Sequence, residues 1–166
     1  YFFYMWWRPE YILVIIAMTL VDFGAGILME RARSAREKRA WLALSLTIDL
    51  GMLFYFKYAL FSAEVANDVL RLFDASWRFN PGAILLPIGI SFHTFQSLSY
   101  VVEVYRGHQP AERNFVVYAT YVMFFPQLVA GPIERPQSLL HQFRERHDYD
   151  YARIVSGLKR MAWGLF

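Results

Sequence analysis

The stretch "PIGISFHTFQSLSYVVEVYRG", residues 87–107, is largely apolar and aromatic, yet it carries four polar groups at helical spacing. His93, Gln96, Tyr100 and Glu103 follow steps of three, four and three residues, which places them on one face of a helix. Polar and ionisable groups at membrane depth cost several kcal/mol, so they normally turn toward a bundle interior or an aqueous cavity. We therefore expect this polar stripe to face a cavity or a polar network. Hydrogen bonds to neighbouring helices are the alternative, and Glu103 is equally compatible with an interfacial carboxylate at the helix end.

The composition of the chain indicates a membrane protein. Of its 166 residues, 57% are hydrophobic and 19% aromatic, and these residues concentrate in blocks that approach the roughly 20 residues a helix needs to cross a bilayer. We predict an all-α, polytopic membrane protein. The absence of cysteine excludes disulfides, thiolate metal sites and a cysteine acyl carrier within the chain. The net charge of +3 is small, and no basic groove interleaved with aromatic residues points to nucleic acid.

The apolar blocks and the charged loops between them predict a topology. Residues 11–29, 41–61 and 83–104 are expected to span the membrane, and 154–166 to begin a further span. The loop 30–40 has five basic residues against two acidic ones. By the positive-inside rule, this loop is cytoplasmic.

Residues 115–133 are harder to assign, because Pro126 interrupts an apolar run of only eleven residues. We predict a re-entrant or half-spanning helix, since irregular backbone at membrane depth survives where it is buried in protein or lines a cavity. This keeps 134–153 on the cytoplasmic side, whereas a full crossing would place it outside. Leucine and phenylalanine at helical spacing predict an amphipathic interfacial helix over about 136–153.

Three further polar residues lie in apolar segments. For Asp22 and Asp49 we expect a base on another helix as partner, or the cap of a broken helix, in preference to direct chemistry. Gln127 lies between two helix breaks and is suited to a ligand or to freed backbone groups. The sequence contains no zinc-ligand spacing, glycine-rich phosphate loop or GxSxG elbow. No metal site is predicted.

Two blocks of the sequence, "LLPIGISFHTFQSLSYVVEVYRG" (85–107) and "FVVYATYVMFFPQLVAGPIERPQSLLHQF" (115–143), closely resemble the membrane-bound O-acyltransferase family, in its bacterial alginate O-acetylation branch. The resemblance covers essentially the entire chain. It implies a helical bundle with broken helices around a central tunnel in the bacterial inner membrane. An acyl group from a thioester, acetyl-CoA or an acyl carrier, is expected to enter from the cytoplasm and reach an acceptor on the outer side.

The resemblance also implies where the chemistry lies. Family members use a histidine in a Trp-His motif, and this chain contains no Trp-His pair. We carry over no catalytic residue, expect that histidine downstream, and interpret the chain as an N-terminal-half fragment that is inactive alone. No bound cofactor is expected. Candidates for the tunnel lining are His93, Gln96, Tyr100, Glu103 and Gln127.

The implied partners are an extracytoplasmic esterase-like acetyltransferase and the machinery of polysaccharide export and modification. Alginate, another exopolysaccharide, cell-wall glycan and teichoic acid all remain open as acceptors. The main alternative function is a fragment of a transporter or channel with a polar intramembrane path. A purely structural segment of a membrane assembly is the third hypothesis.

Overall fold

The structure is a computed structural model that describes residues 11–72, 77, 89–124, 134–146 and 148–166, and these residues form helices and connections without a strand. The all-α prediction is confirmed for this part of the chain. In order, the elements are α1 (Tyr11–Arg31), α2 (Ala35–Leu72), α3 (Ile90–Arg106), α4 (Phe115–Val122), α5 (Pro136–Leu139), a 3₁₀ turn (Leu140–Phe143) and α6 (Tyr151–Leu165).

Two helices have the length and composition to cross a membrane: α1, and Ala35–Ala59 of α2. In the apolar window of the second of these, only 11% of the residues are buried within the protein. Large side chains such as Phe54, Tyr55 and Tyr58 stand exposed along it. Apolar surface of this extent marks an interaction with lipid or with other protein, and the two apolar helices support membrane association.

The second helix begins earlier than the sequence pattern predicts, at Ala35 in place of residue 41. Ser34 precedes the helix and its hydroxyl oxygen accepts a hydrogen bond from the backbone N–H of Glu37 (3.2 Å). The Glu37 carboxylate in turn accepts from the backbone N–H of Arg33 (3.0 Å). This arrangement resembles a capping box, which satisfies the free donors of a first turn. The charged segment 35–40 is therefore helix and not loop.

The same helix continues past the predicted boundary at residue 61 and ends at Leu72. Residues 62–72 contain no glycine or proline, and several of them, such as Ala66 and Leu70, are good helix formers. The 38 residues of α2 extend over roughly 57 Å, well beyond a hydrocarbon layer of about 30 Å. The predicted connection 62–82 thus begins as a helical extension.

The core lies where α1, α2 and α3 pack on one another and α4 covers α3. The helix α3 ends at Gly107, whose positive φ of 78° closes the last turn. Residues 83–88 of the predicted span 83–104 lie outside the described residues. Fully buried apolar and aromatic side chains fill this core, among them Ile15, Met29, Tyr100, Val101, Tyr118 and Tyr121.

The segment after α3 departs from the predicted elements. Asn114 caps α4 by accepting from the backbone N–H groups of Val116 and Val117, and the helix ends at Val122. Residues 125–133 of the predicted re-entrant segment lie outside the described residues.

The predicted amphipathic helix over 136–153 is wrong as a continuous element. It consists of α5 and the 3₁₀ turn, and the described residues among 144–150 are not helical. The side chain of Asp150 accepts from the backbone N–H of Arg153 (3.0 Å) and starts α6 there. Aspartate side chains compete with helix hydrogen bonds in this way, which is why the helix restarts.

Candidate functional site: a buried polar network

His93 joins α3 to α1 through Thr19. Both residues are fully buried, and the distance from His93 Nε2 to Thr19 Oγ1 is 3.2 Å. The Thr19 hydroxyl donates its one proton to the backbone carbonyl of Ile15 (2.7 Å), so it accepts from His93. The imidazole therefore carries its proton on Nε2. Its Nδ1 has no hydrogen-bond partner in the described part of the chain.

Asp22 lies near the middle of α1 and is fully buried. The hydroxyl of Ser45 on α2 donates to its Oδ1 at 2.6 Å. Asp49 lies one turn further along α2 on the same face, also fully buried, and is close enough for the two carboxyl groups to interact. Within the described ranges, neither aspartate forms a salt bridge. The described residues supply no basic partner for these aspartates: a serine hydroxyl and a second carboxyl group lie beside Asp22.

The neighbouring turn of α3 extends this network toward α4. Gln96 is buried and Ser97 fully so. The hydroxyl of Tyr118 on α4 lies 3.5 Å from Ser97 Oγ and donates to it, and Ser97 lies within interaction range of Asp22. Polar groups from α1, α2, α3 and α4 thus meet in one buried patch. We name it the polar network; its members are Thr19, Asp22, Ser45, Asp49, His93, Ser97 and Tyr118.

Tyr100 connects the polar network to the loop between α3 and α4. Its ring is fully buried against that of Tyr118, with 4.6 Å between the ring centroids. Its hydroxyl oxygen accepts a hydrogen bond from the backbone N–H of Glu112 at 2.8 Å. The ring also passes so close to Gly26 of α1 that a β-carbon there would meet it. Only glycine at this position leaves room for the tyrosine.

Glu103 occupies a different environment from the other three stripe residues. It lies at the end of α3, where its carboxylate accepts from the side-chain amide of Gln137 (2.6 Å) and lies 3.0 Å from His108 Nδ1. Arg106 is 3.9 Å away. The residue therefore belongs to the charged end of the bundle, and it ties α3 to α5.

Glu112 makes the second connection at this end and was not singled out by the sequence. It is buried and its carboxylate accepts from the backbone N–H groups of Arg113 and Asn114, each at 2.8 Å. Both of its oxygens also accept from the guanidinium of Arg144 at 2.6 Å. Arg113 in turn pairs with Glu30 at the end of α1 (2.5 Å). The α1 end, the 107–114 loop and the segment 134–146 therefore meet at one end of the bundle.

The structure places the predicted site residues as follows. His93, Gln96 and Tyr100 lie buried between helices, with Glu103 at their charged end, while Gln127 lies outside the described residues. Their role as a tunnel lining stays a prediction. Across the described ranges, no group of three or more histidine, aspartate or glutamate residues is placed to hold a metal ion.

Comparison with known proteins shows what the chain is similar to. The chain is 39% identical over 166 residues to a protein of Pseudomonas aeruginosa named probable alginate O-acetylase AlgI, covering 99% of this chain and 31% of that protein. A protein of the same name from Pseudomonas putida is 41% identical over 167 residues, covering 99% and 34%. A peptidoglycan O-acetyltransferase of Helicobacter pylori is 28% identical over 193 residues, covering 99% and 35%.

These relatives confirm the resemblance to the alginate O-acetylation branch of the membrane-bound O-acyltransferase family. The chain spans about a third of the length of the curated relatives it matches. No protein-family model matches the chain, and no solved structure matches it.

Proposed function

We propose that this chain is a segment of a membrane-bound O-acetyltransferase that moves acetyl groups for the O-acetylation of an extracytoplasmic polysaccharide. The observation that carries this proposal is the identity of about 40% over 99% of the chain with proteins named alginate O-acetylase. The activity belongs to the longer protein. The names of these relatives favour alginate as the acceptor. The relative named peptidoglycan O-acetyltransferase supports a cell-wall glycan as the alternative acceptor.

The polar stripe of α3 forms part of the wall of the acyl path in this proposal. His93, Gln96 and Tyr100 supply polar groups inside an apolar bundle, where each exposed donor or acceptor would otherwise cost free energy. Gln127 is proposed to contribute to the same wall. Glu103 lies at the charged end, where the thioester donor, acetyl-CoA or an acyl carrier, would arrive. The catalytic histidine of the family is expected elsewhere in the longer protein.

The charged end of the bundle is proposed to face the cytoplasm of a multi-pass protein in the bacterial inner membrane. The basic connection between α1 and α2 lies here, and Lys38 on α2 stands 5.5 Å above the ring of Tyr105 on α3. The contacts of Glu103 and Glu112 hold 134–146 at the same end. The helix α4 starts at the charged end, and the segment 134–146 lies at the same end. This placement supports the re-entrant interpretation of 115–133.

An extracytoplasmic esterase-like acetyltransferase is the proposed partner, with the polysaccharide export and modification machinery around it. The outer end of the acyl path would deliver acetyl groups to this partner. No contact in the described residues bears on that partner, and the proposal follows from the family resemblance.

The experiment is complementation in a strain that lacks the full-length gene, with the acetate content of the polysaccharide as the measurement. We expect Gln96→Ala and Glu103→Ala to lower acetylation at least roughly tenfold, which corresponds to about 1.4 kcal/mol in a rate-limiting barrier. Phe95→Ala is the matched control on the same helix, because Phe95 is 47% exposed. Each variant is compared at equal protein level in the membrane.

The outcomes separate the hypotheses. Wild-type protein that restores no acetate would contradict the acetyltransferase proposal. Normal acetate content in both polar variants would leave the enzyme intact and remove the polar stripe from the acyl path. Gln96 and Glu103 would then have only a structural role in the helix bundle.

A further inference from the structure

The two aspartates of the polar network have more acceptor atoms than the surrounding groups can satisfy. Asp22 and Asp49 present four carboxyl oxygens, and both residues are fully buried. Ser45 donates to Asp22 Oδ1. Asp22 Oδ2 and both oxygens of Asp49 have no hydrogen-bond partner in the described part of the chain.

The nearby hydroxyl groups cannot make up this deficit. Thr19 has already donated its proton to Ile15, and Tyr118 donates to Ser97. The Ser97 hydroxyl lies within interaction range of Asp22 and not of Asp49 among the interactions that the structure gives for these aspartates. Among the described residues no hydroxyl donates to Asp49, and the buried Thr94 hydroxyl, which is itself without a partner, bonds to neither aspartate.

The charges around the pair do not favour two carboxylates either. In the part of the chain that the structure describes, the facing ionisable groups on α1 and α2 are the two aspartates themselves, and on α3 and α4 they are His93, Tyr100 and Tyr118. His93 uses its Nε2 proton on Thr19. Two adjacent carboxyl groups without a cation do not both ionise, since like charges at short distance in a dry interior repel strongly.

We propose that Asp22 and Asp49 form a proton-sharing pair, in which a carboxylic acid at Asp49 donates its O–H to the carboxylate of Asp22. The proton comes from water and joins two of the three unpartnered oxygens, Asp22 Oδ2 and one oxygen of Asp49, in a single hydrogen bond. One negative charge remains, on Asp22, where the Ser45 hydroxyl stabilises it. The pair is thus a proton-binding site in the interior of the bundle, on α1 and α2, beside the polar stripe of α3 that is assigned to the acyl path.

Infrared difference spectroscopy tests this directly on the full-length protein reconstituted in lipid at neutral pH. A protonated carboxyl group has a carbonyl-stretch band that an ionised carboxylate lacks. We expect Asp49→Asn to remove one such band from the wild-type spectrum, and Asp49→Glu to shift it. Asp68→Asn is the control on the same helix, because the Asp68 side chain is 73% exposed and pairs with Arg71; it should change only the carboxylate region.

Asparagine keeps the shape of aspartic acid and can donate to Asp22, so this variant should also unfold at the same temperature as wild type. Should Asp49→Asn fail to accumulate, the frequency shift in Asp49→Glu supplies the same assignment. A carbonyl region that is unchanged in the asparagine and glutamate variants overturns the proposal. So does a wild-type protein whose unfolding temperature falls when sodium and other cations are removed, together with an Asp49→Asn protein that shows no such dependence, because a bound cation would then occupy the place of the proton.

Discussion

The ring of Tyr100 crosses α1 directly over Gly26, so that a β-carbon at position 26 would lie 2.8 Å from the phenol oxygen. The tyrosine cannot move aside easily. Its hydroxyl is held by the backbone N–H of Glu112, and its ring is packed on Tyr118. This contact sets the distance between α1 and α3. It therefore also sets the distance between the polar side chains that the two helices contribute to the polar network.

Replacing Gly26 by alanine should therefore destabilise the protein by about 1–3 kcal/mol, the usual cost of an added methyl group in a packed interior. Gly24 provides the control on the same helix, because an added β-carbon there meets nothing within 4 Å. Gly24→Ala should stabilise the helix by roughly 0.5–1 kcal/mol. Thermal unfolding of the detergent-solubilised protein measures both. Equal stability of the two variants would mean that Tyr100 does not cover Gly26.

Removing the donor from the buried aspartate pair should also be costly. Ser45→Ala leaves Asp22 Oδ1 without its 2.6 Å hydrogen bond, and an unsatisfied buried acceptor costs about 1–3 kcal/mol. Ser62→Ala, on the exposed part of α2, should change the free energy of unfolding by less than about 0.5 kcal/mol. In an Asp22→Asn background the cost of Ser45→Ala should shrink, and purely additive effects would argue against the contact.

The carboxylate of Glu112 should contribute much of the stability of the contact between the 107–114 loop and the segment 134–146. Glu112→Gln weakens its bonds to Arg144 and to two backbone N–H groups, and hydrogen bonds to charged groups contribute about 1.5–3 kcal/mol. We expect faster proteolysis within 134–146 together with a lower unfolding temperature. Glu64→Gln, an exposed carboxylate on α2, is the control. An unchanged rate of proteolysis in the Glu112 variant would mean that Glu112 does not hold the segment 134–146 on the bundle.

Much of this architecture follows from the amino-acid pattern. The predicted span 11–29 matches α1, which ends two residues later, and the spacing of His93, Gln96 and Tyr100 correctly placed them on one face of α3. Hydrophobic periodicity reports these features because burial depends on the face of the helix. The sequence also contains a signal for the early start of α2, because Ser34 and Glu37 have the spacing of a capping box.

Other features depend on tertiary contacts that no local pattern encodes. Ser45 and Asp49 are four residues apart in an apolar stretch, and this spacing indicates that they share one face of α2. Only the packing of α1 on α2 shows that Asp22 lies against this face. Glu112 appears in the sequence as an ordinary loop residue. Its burial results from Arg144, which lies 32 residues further along the chain.

The central claim is that these helices cross a lipid bilayer with the α1–α2 connection, the 107–114 loop and the segment 134–146 on one side. Single cysteines in a cysteine-free background test it, because this chain has no cysteine of its own. Suitable positions are exposed: Ala35, Ser62, Pro110 and Ser138. The probe is a maleimide that cannot cross the membrane, applied to intact spheroplasts and again after permeabilisation.

We predict that cysteines at positions 35, 110 and 138 react only after permeabilisation, whereas the cysteine at position 62, on the same helix as Ala35, reacts in intact spheroplasts. Labelling of position 138 in intact spheroplasts, with position 35 protected, would contradict the account. The segment 134–146 would then lie on the outer side, and its contacts with Glu103 and Glu112 could not exist.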